Sequence, residues 1–144
     1  MRLIVCAFLL TALVSGCSKE KRNLKKADAS LKGVWELRLV SGTMLPPQPY
    51  AAGNENRLEF DGSRFKKYEN GTPVKSGTYN IVHEPNAQDV ICMMVDPGTF
   101  DEKIVFNPES DLRPMLIEID GDKLAVLTGC FAIDGGARYD YVRK

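Results

Sequence analysis

The chain carries one histidine and one tryptophan in 144 residues, and four cysteines. These scarcities exclude a good deal of chemistry. A structural zinc site takes about four nitrogen or sulfur ligands, and outside the N-terminal segment that holds Cys6 and Cys17 the chain offers only three, His83, Cys92 and Cys130. His83 sits in His83-Glu84-Pro85-Asn86, a turn-like stretch that reads as exposed loop. Pairing it with Cys92 as base and nucleophile is disfavoured, because Cys92 lies in an apolar run. No glycine-rich phosphate loop joins a strand to a helix. Asp120-Gly121-Asp122 is a tight turn, far shorter than the roughly twelve-residue EF-hand loop. No constellation points to the paired carboxylates of glycosidases. No catalytic residue, metal or cofactor is expected, and an enzyme ranks last among the functions. Long apolar runs are missing too. The longest is residues 3–13, well short of the roughly 20 residues that span a bilayer.

What that run does have is its context. Arg2 precedes it, and Leu13-Val14-Ser15-Gly16-Cys17 follows. A positive charge, a short apolar core and small residues before a cut describe a signal peptide. The ending resembles the lipobox of bacterial lipoproteins. The resemblance implies removal of residues 1–16 and acylation of Cys17 by palmitate-type chains. Each buried CH₂ contributes about 0.8 kcal/mol, so several chains hold a protein on a membrane stably. Ser18 after the cysteine implies the outer membrane of a Gram-negative cell envelope. The sequence then divides into a signal peptide (1–16), a lipidated flexible tether (17–30) and one domain (31–144).

The zero formal charge is uneven. Residues 18–32 hold six basic and two acidic side chains, and residues 33–144 hold twelve basic and seventeen acidic. A basic tether suits anionic head groups or serves only as a soluble spacer. The acidic domain argues against nucleic acid as a partner. A monomer is expected.

From Gly33 onward apolar residues alternate. Trp35, Leu37 and Leu39 share one face, as do Leu58 and Phe60, Tyr79 and Ile81, Ile117 and Ile119, and Tyr139 and Tyr141. Further runs are 64–69, 90–95, 103–106 and 123–128. Asp61-Gly62, Asn70-Gly71 and Asp120-Gly121 separate them as tight hairpin turns. No stretch after residue 33 shows a helical period. About nine short strands with one apolar face form an antiparallel meander that must close or double over. The long connection Ser41–Asn56 holds Pro46, Pro47 and Pro49, which oppose ladder pairing. Such a loop lids a barrel mouth or stays disordered. Once Cys6 and Cys17 are set aside, Cys92 and Cys130 remain in an oxidising compartment. They form one disulfide or two buried thiols.

Leu31-Lys32-Gly33-Val34-Trp35-Glu36-Leu37 resembles the Gly-x-Trp opening of lipocalin-like barrels. The ending Tyr139-Asp140-Tyr141-Val142-Arg143-Lys144, and the order Asp61-Gly62, Asn70-Gly71, Gly77-Thr78-Tyr79, are similar to small lipocalin-like lipoproteins. The resemblance implies an all-β, up-and-down antiparallel barrel of about eight strands. It also implies that Gly33, Trp35 and Arg143 close one end, with the arginine stacked on the indole. The chain lacks a Thr-Asp-Tyr segment and is shorter than transport lipocalins. Eight strands hold one small ligand or are filled by side chains. The candidate lining is Leu37, Phe60, Tyr79, Met94, Phe106 and Ile117, each of which also suits plain core packing. The leading expectation is a lipid-anchored module binding a small apolar or amphipathic ligand. The alternative is a protein-interaction or inhibitor module.

Overall fold

The computed structural model describes residues 24, 26–44, 46–107, 112–133 and 135–144. The expected signal peptide, Cys17 and most of the tether lie outside them. Nine strands follow a short helix, α1 (26–31). They are β1 (Gly33–Gly42), β2 (Gln48–Pro49), β3 (Arg57–Asp61), β4 (Arg64–Glu69) and β5 (Thr72–His83). After helix α2 (Ala87–Ile91) come β6 (Glu102–Phe106), β7 (Met115–Asp120), β8 (Lys123–Thr128) and β9 (Ala137–Arg143).

All pairings are antiparallel. β1 and β3 to β9 run in order, and β9 returns to β1, so eight strands close a barrel with β2 as an extra edge. The fold is therefore all-β, with the up-and-down order that the hairpin signals predict. Those turns have the expected backbone: Asn70 and Gly71 have φ of 50° and 79°, and Gly62 and Gly121 have φ of 57° and 58°.

Alternation fills the interior. Trp35, Leu58, Phe65, Ile104, Ile117, Leu124 and Val126 are all buried and pack with Leu31 of α1. Two edge-to-face aromatic pairs belong to this core, Phe60–Tyr79 with centroids 5.1 Å apart and Phe65–Phe106 at 4.6 Å. A second small core lies on the outer wall, where Leu116 and Leu127 meet Ala87, Ile91 and Phe100.

Four expectations change. Residues 90–95 are not a strand. Helix α2 runs through Ile91 and ends at Cys92 with φ 53°, because Ala87 and Ile91, one helical turn apart, bury against the outer wall. Leu39 does not join Trp35 and Leu37 inside. A bulge between Leu37 and Leu39 shifts the alternation, so Val40 packs on the inner core instead. The tether loses its last residues to structure, since 26–30 belong to α1. The proline-bearing loop is ordered along β1: Gln48 and Pro49 pair with Val40 and Leu39, an edge position that tolerates proline.

Candidate functional site

The two ends of the barrel differ. At the first, Trp35 is fully buried and its Nε1 donates to Leu31 O at 2.7 Å. The Arg143 guanidinium carbon stands 4.1 Å from the Trp35 ring centroid. Arg143 also donates to Lys32 O and Ser30 O, each at 2.6 Å. Gly33 has φ 129°, and a Cβ there would meet Arg143 Nη1 at 2.7 Å. Only glycine suits both the backbone and the space. The Tyr79 hydroxyl lies 2.8 Å from Gly62 O and 3.1 Å from Asp28 Oδ1, tying α1 to the barrel. Gly33, Trp35 and Arg143 thus come together at a closed end. A cavity of 270 Å³ remains beside α1, lined by Lys26, Ser30, Glu102 and Ile117. Burial and the neighbouring Asp101 hold the Glu102 carboxyl above its ordinary value, with His83 opposing.

The other end is open. A cleft of 420 Å³ lies where β1 parts from β3. Its floor is Leu37 and Val40 of β1 with Tyr139 and Tyr141 of β9. The loop after β2 supplies Tyr50, and the ends of β3 and β4 supply Arg57, Lys67, Tyr68 and Glu69. The loop is held in place by backbone and side-chain bonds. Tyr50 N donates to Arg38 O at 2.8 Å, and Leu37 N to Asn56 O at 2.8 Å. Glu36, 2% exposed, is the one buried charged side chain among the described residues. It accepts from Gly53 N at 3.1 Å and pairs with Arg38 Nη2 at 2.7 Å. Burial raises the Glu36 carboxyl, but the Gly53 amide, Arg38 and Lys144 outweigh it and hold the group below its ordinary value.

The cations at the cleft are already matched. Lys67 Nζ is 2.8 Å from Glu69 Oε1. Arg57 is 3.1 Å from Glu59 and lies over the Tyr68 ring at 4.0 Å. The Tyr68 hydroxyl donates to Glu59 at 3.0 Å. Burial pushes the Tyr141 phenol up, and the nearby Tyr139, Glu69 and Tyr50 add to the shift. Tyr141 therefore stays a neutral donor at physiological pH.

The residues proposed from sequence as ligand-lining separate. Phe60, Tyr79 and Phe106 are plug residues of the filled core. Ile117 belongs to that core and borders the cavity under α1. Leu37 reaches the open cleft. Met94 does not line an interior at all. It is 82% exposed, because α2 replaces the strand that would have turned it inward. Tyr50, Tyr139 and Tyr141 were missed as lining. The alternation of Tyr139 and Tyr141 pointed to them, whereas nothing local marks Tyr50.

Cys92 and Cys130 form a disulfide with Cα atoms 5.0 Å apart, which ties α2 to the segment after β8. Among the described residues no group of three His, Cys, Asp or Glu is placed to hold a metal ion. No family model, curated protein or solved structure matches the chain.

Proposed function

We propose that this protein is a lipocalin-like binding module of the bacterial cell envelope, anchored through acylated Cys17 and taking a small amphipathic ligand at its open end. The observation that carries the binding reading is the cleft: an apolar floor, aromatic walls and a polar rim. Ligand sites commonly combine an apolar lining with a few placed polar groups. The lipobox-like Leu13-Val14-Ser15-Gly16-Cys17 carries the anchoring reading.

Native mass spectrometry of the full chain with Cys17→Ala tests the first part. The expected result is a co-purified small molecule that is lost when Tyr141→Trp narrows the cleft. A ligand retained in that variant, or none under any gentle purification, overturns it. The same Cys17→Ala chain tests the anchor, because it should leave the membrane fraction. Persistence after a carbonate wash overturns that part.

A second reading, docking to a protein partner, is favoured by one observation. Met44, Met94 and Ile133 are 71%, 82% and 76% exposed, and a groove of 500 Å³ lined by Met93, Leu127 and Phe131 adjoins the disulfide. Each of the three follows in sequence a residue that lines this groove, Thr43, Met93 or Ala132, and contiguous exposed apolar surface marks interaction sites.

A further inference from the structure

The charges and hydroxyls around the open cleft narrow the ligand further, on the premise that this cleft is the binding site. We infer that it takes a neutral, hydroxyl-bearing ring, a sugar, in preference to a charged amphiphile.

Three observations converge. First, the charged side chains of the rim are satisfied internally. Lys67 pairs with Glu69, and Arg57 with Glu59. These pairs already neutralise the rim charges, so an anionic or cationic head group gains only the small net energy of one more exposed ion pair. Second, two floor hydroxyls are available. Tyr139 and Tyr141 line the cleft, and neither phenol has a hydrogen-bond partner among the described residues. No described side-chain oxygen or nitrogen is both fully buried and unpaired. The Tyr141 hydroxyl, on a residue only 7% exposed, therefore opens onto the cleft. A phenol both donates and accepts, as do the hydroxyls of a sugar. Third, the surfaces beside those hydroxyls are aromatic and aliphatic: Tyr50, Leu37 and Val40. The C–H face of a pyranose packs on such surfaces while its edge hydroxyls bond, and leaving the floor phenols unmatched would cost affinity. Trp35, Leu58, Phe60, Phe65 and Phe106 are buried in the core of the barrel, so the ring is placed at the mouth.

A free sugar and the head of a glycoside offer the same chemistry, and the test separates them. The full chain with Cys17→Ala is titrated by heteronuclear NMR with neutral methyl hexosides and N-acetylhexosaminides. Parallel titrations use octyl glucoside, octanoate and octylammonium. The expected result is saturable shifts at Tyr139, Tyr141 and Leu37 with at least one neutral glycoside. Octanoate and octylammonium should bind about tenfold more weakly than octyl glucoside, the equivalent of one lost hydrogen bond. Tyr141→Phe and Tyr139→Phe should each weaken the glycoside by up to about tenfold with an unchanged fold. Equal affinity for methyl and octyl glycosides assigns a free sugar, and tighter octyl binding assigns a glycoside. If the charged amphiphiles bind as tightly or more tightly, or if the Phe variants bind glycoside unchanged, the sugar inference is overturned while the binding site stands. If no probe perturbs the cleft, the binding reading itself falls.

Discussion

Arg143 stacks on Trp35 from the neighbouring strand, its guanidinium carbon 4.1 Å from the ring centroid, and the two residues are direct register partners of β9 and β1. The contact is part of a larger cap, because the same guanidinium holds Ser30 O and Lys32 O. A partly desolvated cation–π contact contributes about 2 kcal/mol, while truncating a buried tryptophan costs about 3–5 kcal/mol. Trp35→Ala should therefore destabilise more than Arg143→Ala in urea unfolding. The double variant should cost less than the two losses combined. Strict additivity would show that the pair does not interact.

Gly33→Ala should destabilise by about 1–3 kcal/mol through strain at positive φ and crowding of Arg143. Part of that loss should vanish in an Arg143→Ala background, where the crowded guanidinium is gone. An equal loss in both backgrounds would assign the whole effect to the backbone.

The disulfide closes a separation of 38 residues. Chain entropy gives such a loop about 3–4 kcal/mol, on a mechanism that is model-dependent. Cys92→Ser with Cys130→Ser should lower stability by up to that amount and speed amide exchange in α2 first. Alkylation before and after reduction checks the bond directly, and two reactive thiols in the native protein would refute it.

Glu36 makes stability depend on acid pH. Its folded carboxyl is held below its ordinary value, so the unfolded chain binds the proton more readily. The contribution is present above the unfolded value of about 4.3 and is lost as pH falls through the folded one. Glu36→Gln, which weakens the acceptor for Gly53 N and removes the partner of Arg38, should cost about 1–3 kcal/mol near pH 7. Urea midpoints measured from neutral to acid pH should converge for the two proteins. A constant gap at every pH would exclude ionisation of Glu36 as the cause.

Much of the barrel was legible because period-two alternation and Asx-Gly turns are local signals. β4 and β8 coincide with the runs set off by those turns, Arg64–Glu69 and Lys123–Thr128. The exceptions have tertiary causes. The apolar run 90–95 looks like a strand, yet Ala87 and Ile91 bury against Leu116 and Leu127, residues that no local pattern pairs with them. The bulge in β1 shifts the inner face from Leu39 to Val40 by backbone geometry that leaves no mark in composition. The open cleft was the least legible part, since it assembles Tyr50, Lys67 and Tyr141 from three distant segments. The closed end was easier, because the resemblance to lipocalin-like barrels singles out Gly33, Trp35 and Arg143 in the sequence.

The seam between β1 and β9 has a consequence for how the chain reaches its fold. Arg143 and Lys32, which meet there, are 111 residues apart. Closing a flexible loop of that length costs about 4 kcal/mol of chain entropy, and each hairpin already formed shortens the loop that is left to close. The hairpins from β3 to β5 can form early, but they remain an open, twisted ribbon with an unpaired edge until the final strand docks. Folding should therefore be slow for the chain's size. A chain still lacking β9 can hold its early hairpins but leaves the edge of β1 open, so the barrel closes only when Ala137–Arg143 arrives.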